Sequence, residues 1–120
     1  MEEIDFYDKV GQPIAYSQDG VHIYTFPGAL VAYLDRGCVY SYSGKCLGWF
    51  EDGWIRDTSG ECVFYTQHTQ SGPIQPEKIV SPMKAIKSVE PIKAERSVPP
   101  IKPIRSSTWS KISGMEFFKR

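Results

Sequence analysis

The sequence predicts an all-β protein: four β-hairpin repeats arranged as a shallow ring or barrel, followed by an extended, polyproline-II-like C-terminal arm. Three observations predict it. Four glycines, Gly11, Gly28, Gly44 and Gly60, recur 17, 16 and 16 residues apart, and a fixed period means one small unit copied and stacked. The residue types around each glycine repeat as well. Five before it stands Phe6, Ile23, Val39 or Ile55; three after, Ile14, Val31, Leu47 or Val63; five after, Tyr16, Tyr33, Trp49 or Tyr65. From Met83 onward, apolar residues recur at every third position among prolines, the spacing of a helix with three residues per turn.

In register, the units are residues 4–20, 21–37, 38–53 and 54–69. Their first strands, IDFYD, VHIYT, CVYSY and WIRD, are rich in the β-branched and aromatic residues that suit a pleated surface. The turns that follow end on glycine, the residue able to adopt the positive φ of a short hairpin loop with a bulge. The return strands are PIAYS, LVAYL, CLGWF and CVFYT, and the second turns QDG, DRG and EDG signal a chain reversal. A glycine every eight or nine residues excludes helix, since each costs about 1 kcal/mol there. Isolated hairpins are marginal in water, so the four are expected to bury their apolar faces together and close, which removes exposed strand edges.

Simple alternation puts Ile14 and Tyr16, and their counterparts, on one face of each return strand. Ala15, Ala32, Gly48 and Phe64 start the other, and the pattern leaves open which face points inward. The fourth unit departs from the rest: Arg56 stands where the others have Tyr7, Tyr24 and Tyr40, and Thr69 where they close on glycine. Such a departure suits a terminal repeat. Alternatively, an arginine in a ring of tyrosines can receive an anion through its planar fork of donors.

The domain organisation follows: residues 1–70 form the hairpin domain, 71–105 a proline-rich basic arm, and 106–120 an apolar segment expected to dock on the domain or a neighbour. Seven prolines between 73 and 103 rule out a long helix or central strand in the arm. Its triplet stripe is Met83, Ile86, Val89, Ile92, Val98, Ile101 and Ile104, interrupted only at Glu95; basic residues follow at Lys84, Lys87, Lys93, Lys102 and Arg105. A free linker needs no such stripe, so the arm is expected to lie along a surface. Trp109, Ile112, Met115, Phe117 and Phe118 then concentrate apolar bulk near the end, enough to plug the ring opening.

The zero formal charge hides a split. Residues 1–70 carry four basic and ten acidic side chains, residues 71–120 ten basic and four acidic. An acidic head disfavours nucleic acid there and invites the basic arm. Cys38, Cys46 and Cys62 form no C-x-x-C pair, and an odd number argues against a disulfide framework. With no secretory leader or apolar run of about 18 residues, reduced thiols, a cytoplasmic location and no transmembrane segment are expected. His22 and His68 lack partners at metal-ligand spacing; no cofactor, metal site or catalytic residue is expected, and the chain is read as a non-enzyme.

The segments IAYSQDG, LVAYLDRG and VYSYSGKCLGWFEDGWIRDTSGECVFYT, with the Pro/Ile/Lys triplets after them, resemble the four-fold beta-flower proteins. The resemblance covers essentially the whole chain and implies hairpins radiating as petals of a shallow barrel. It implies a shape and no activity. The favoured functional reading is a protein-interaction or self-assembly module, its partner or second copy engaged through the arm (Met83, Ile86, Val89, Ile92, Val98, Ile101, Ile104 and Trp109). The alternative is a barrel binding a small molecule or anionic lipid through Tyr7, Tyr24, Tyr40 and Arg56.

Overall fold

In the computed structural model, which describes residues 3–69 and 72–120, eight antiparallel strands close into a barrel in chain order. They are β1 (Ile4–Tyr7), β2 (Pro13–Ser17), β3 (His22–Thr25), β4 (Leu30–Asp35), β5 (Cys38–Tyr40), β6 (Cys46–Glu51), β7 (Trp54–Asp57) and β8 (Cys62–Tyr65), followed by a short 3-10 helix, Gly114–Lys119. Each sequence repeat is one hairpin. Among the described residues the β8–β1 seam is the weakest, paired only at Tyr7 and Tyr65.

The inward face is the one that begins with Ala15 and its counterparts. Phe6, Ala15, Ile23, Ala32, Val39, Ile55 and Phe64 have no exposed surface and fill the axis. Tyr16, Tyr33, Trp49 and Tyr65 lie on the outer wall, each opposite the next repeat's Tyr24, Tyr40 or Arg56, or at closure Tyr7.

Alternation fails at one position per repeat. Pairing shifts at Phe6/Tyr7, Ile23/Tyr24, Val39/Tyr40 and Ile55/Arg56, leaving Ile14, Val31, Leu47 and Val63 as the extra residue of a β-bulge. These four therefore do not share the outer face with the aromatics. They join the core cluster together with Phe117, Phe118, Ile112 and Met115. The C-terminal segment thus closes the mouth beside the bulges, where Phe118 stacks on Phe64 with ring centroids 5.5 Å apart. At the opposite mouth the chain reverses through Arg36-Gly37 and Asp52-Gly53, all four residues at positive φ, as in the hairpin turns that match strand twist.

Candidate functional site

The first turns of all four hairpins share one hydrogen-bond scheme. Asp8, Thr25, Ser41 and Asp57 stand three residues before the glycine, and each backbone amide donates to a carbonyl four residues on, with return bonds from Gly11, Gly28, Gly44 and Gly60. Their side-chain oxygens accept the amides of Gln12, Ala29, Lys45 and Glu61. Buried polar side chains are thereby satisfied locally, and the glycine carbonyl is left pointing away from the barrel.

The arm uses those carbonyls. The amides of Ile79, Ser88, Ser97 and Ser106 donate to the carbonyls of Gly11, Gly28, Gly44 and Gly60 at 2.8–3.0 Å. The donors are nine residues apart, one per petal, so the arm visits the petals in order. Where a Cβ would sit on these glycines, the carbonyl oxygens of Glu77, Ile86, Glu95 and Ile104 lie 2.0–2.5 Å away. No side chain fits beneath the arm.

Basic residues make the second set of contacts, and these recur every nine residues too. Over the stacked pair Tyr7–Tyr65, with centroids 5.3 Å apart, sits the Lys78 ammonium at 5.4 Å from the Tyr65 ring. Lys84 and Lys87 cover the stacked pair Tyr16–Tyr24 at 4.9 and 5.2 Å. Lys93 and Arg96 cover Tyr33–Tyr40 at 4.6 and 4.9 Å. In the fourth quarter the barrel itself supplies the cation, Arg56 beside Trp49. There Lys102 and Arg105 turn instead to Glu51 and Asp52. Arg96 likewise pairs with Asp35, and Lys84 with Glu3 at 2.8 Å; the bond to Glu3 holds the Lys84 ammonium above its ordinary pKa. Exposed cation–π contacts stabilise by about 0.5–1 kcal/mol each, so the set matters more than any member.

The structure places the sequence-predicted residues as follows. Tyr7, Tyr24, Tyr40 and Arg56 stand on alternate strands around the outer wall, beneath the arm, and do not converge on one pocket. The Arg56 guanidinium, 4% exposed, donates to the carbonyls of Gly60 and Ser106; it clasps the arm's end. The apolar stripe faces away from the barrel, and the arm docks on its own barrel through backbone amides and cations. Met83, Ile86, Val89, Ile92, Val98, Ile101 and Ile104 are each at least 90% exposed. Trp109 alone of that set packs inward, edge-on to Trp54 at 5.4 Å, with the Thr108 carbonyl and Ser110 amide bonded to Cys62. Pro76, whose carbonyl accepts the Tyr65 hydroxyl at 2.9 Å, and Trp109 together cover the weakly paired β8–β1 seam.

The cysteines are free, and burial pushes the Cys46 and Cys62 thiols up, which keeps them protonated packing groups. Among the described residues no group of three His, Cys, Asp or Glu could hold a metal ion, and no helix is long and apolar enough to cross a membrane.

At the turn before β3, partial burial opposes ionisation of Asp19. Bonds from the His22 ring and from the amides of His22 and Val21 outweigh it, and its pKa falls to about 2. A carboxyl depressed on folding adds stability above its unfolded pKa of about 3.9, and that stability is lost as pH falls toward 2. The stability loss between pH 4 and 2 is therefore expected to be shallower in Asp19→Asn than in the unaltered chain, as read by urea midpoints.

The model of one family, described as 4-fold beta flower protein, matches residues 4–118. No curated protein and no solved structure matches the chain.

Proposed function

We infer that this chain, which belongs to the 4-fold beta flower family, is a non-enzymatic self-assembly module whose contact surface is the outward side of its arm. The observation that carries this reading is the exposed stripe itself. Seven aliphatic or methionine side chains at 90% exposure or more line one outward side of the arm, and exposed apolar surface aligned in this way marks an interaction site.

The nine-residue period supports an extended, polyproline-II-like hoop. A disc 36 Å across has a quarter-perimeter of about 28 Å, and nine residues at a rise of ~3.1 Å span the same length. Nine residues are also three turns of a three-residue helix. Every petal therefore meets the same basic and amide side, while the apolar side stays outward in phase. The hoop is convex and runs past all four petals, so one flat partner could cover only part of it. Several copies meeting edge to edge cover more. A formal net charge of zero supplies no long-range repulsion between copies. A bilayer fits less well, because backbone peptide groups outside any helix or strand are costly in hydrocarbon.

Sedimentation velocity on the full chain and on Val89→Ser/Ile92→Ser/Val98→Ser/Ile101→Ser tests the reading. The unaltered chain is expected to show concentration-dependent mass above the monomer, and the variant to stay monomeric with an unchanged β-sheet spectrum. Fully exposed substitutions of this kind alter stability by only about 0.5 kcal/mol each. A full chain monomeric at every concentration, or a variant that associates as well as its parent, overturns it. So does a monomer that floats with anionic vesicles.

A further inference from the structure

Among the described residues, nothing covers the mouth opposite the C-terminal plug. It encloses a cavity of about 350 Å³ with Ile4, Val21, Leu34 and Phe50 as its apolar walls and Asp35 and Arg36 at its rim, within the size range of small-molecule sites, which begins near 300 Å³. Phe50 is pinned from below by an edge-to-face contact with Phe6, centroids 5.7 Å apart, so the floor is fixed by the core.

The charges around this mouth are not equivalent. Asp35 is paired with Arg96, Glu51 with Lys102 and Arg105, and Asp52 with Arg105. Asp19 accepts bonds from His22 and Val21. Among the described residues Arg36 makes no hydrogen bond or ion pair, and its side chain is exposed. Its backbone, at φ 52° beside Gly37 at 82°, is part of the turn that carries the side chain to the rim. The arm thus neutralises neighbouring carboxylates of an acidic head and leaves one unpaired cation above an apolar cup.

We propose that this mouth binds an amphiphilic monocarboxylate, its alkyl body in the cup of Ile4, Val21, Leu34 and Phe50 and its carboxylate on the Arg36 fork. Guanidinium and carboxylate match in a two-bond geometry, and a mostly apolar lining with few polar groups to orient the ligand is the usual design of such a site. The site lies at the end of the barrel axis; Arg96 of the arm reaches Asp35 at its rim, but the outward apolar stripe takes no part in it, so it stands whether or not copies associate.

The test is an NMR titration of the isotopically labelled full chain with octanoate below its micelle concentration, with octanol and acetate as partial probes. Expected are saturable shifts at Ile4, Val21, Leu34 and Phe50 with octanoate, weaker binding of octanol, and none of acetate. Arg36→Asn, which tolerates positive φ, is expected to lose affinity by about tenfold, the scale of one charge-assisted pair, while its melting curve reports that the turn is kept. Absence of saturable shifts at the mouth overturns the proposal. Equal octanoate affinity in Arg36→Asn does the same, as do shifts confined to a second apolar groove, of about 330 Å³, that Pro27, Pro82 and Met115 help to line.

Discussion

Phe117→Ala is expected to destabilise the whole barrel, by about 3–5 kcal/mol on the scale of buried aromatic truncations. The side chain is fully buried although it stands three residues from the chain's end. It meets Phe64 edge-on at 5.7 Å and Phe118 at 5.3 Å, in the cluster that holds the bulge residues of all four hairpins. Removing it opens a cavity in the cluster where bulge residues of all four repeats meet the C-terminal segment. A shift of this size lowers the melting temperature of a domain of this length by roughly 10 °C or more. Thermal denaturation followed by far-UV and near-UV circular dichroism checks it. A terminal decoration would lose only the near-UV signal of its own ring and leave the midpoint where it was. The same contacts mean that removing the arm and terminus together exposes both the core mouth and the tyrosine wall, so a truncation at residue 70 tests folding before it tests association.

What the sequence disclosed, and what it concealed, follows from the range of each interaction. The hairpins were legible because a tight turn needs glycine locally: Gly11, Gly28, Gly44 and Gly60 announce their own geometry, and strand types follow from the residues between them. The bulges were not. Ile14 and Tyr16 have the spacing of neighbours on one face, and only the cross-strand shift beside Phe6 and Tyr7 sends Ile14 to the plugged mouth and Tyr16 to the outer wall. The turn acceptors Asp8, Thr25, Ser41 and Asp57 were visible in register, each three residues before its glycine, but they differ in side chain and share only an oxygen. The arm carried a nine-residue period in Lys78, Lys87, Arg96 and Arg105, and in Ser88, Ser97 and Ser106. It was hidden inside the more obvious triplet, of which nine is a multiple. The triplet is plainest on the apolar side, whereas the contacts with the barrel are made by the basic one. Which side docks is decided by the aromatic faces and carboxylates of the opposing wall, which a reading of the arm alone does not contain. In the turn DRG nothing marks Arg36, because its isolation depends on Arg96 taking Asp35.

A paired substitution separates the cost of a turn from the cost of lifting the arm. Gly44 and Gly37 have nearly the same backbone, φ 90° and 82°. Alanine at either suffers the left-handed strain of a side chain, about 1–2 kcal/mol. Only at Gly44 does the new Cβ meet the arm, 2.0 Å from the Glu95 carbonyl oxygen; at Gly37 the nearest atom is 3.7 Å away. Backbone cannot yield that distance without moving, so Gly44→Ala is expected to lift residues 94–97 from the third petal and break the bonds from Ala94 to Tyr42 and from Ser97 to Gly44. Arg96 then loses its place over Tyr40 and beside Asp35. Hydrogen exchange at the Ala94 and Ser97 amides is expected to accelerate toward that of an unstructured peptide in Gly44→Ala and to stay close to the parent's in Gly37→Ala. Protease cleavage after Arg96 should follow the same order. Because the other three clasps are independent backbone bonds, the amides of Ser88 and Ser106 should remain protected, so the arm peels one petal at a time. If both alanine variants exchanged alike, the arm would not be seated on the turn glycines, and the hoop would lose the support that holds its apolar side outward.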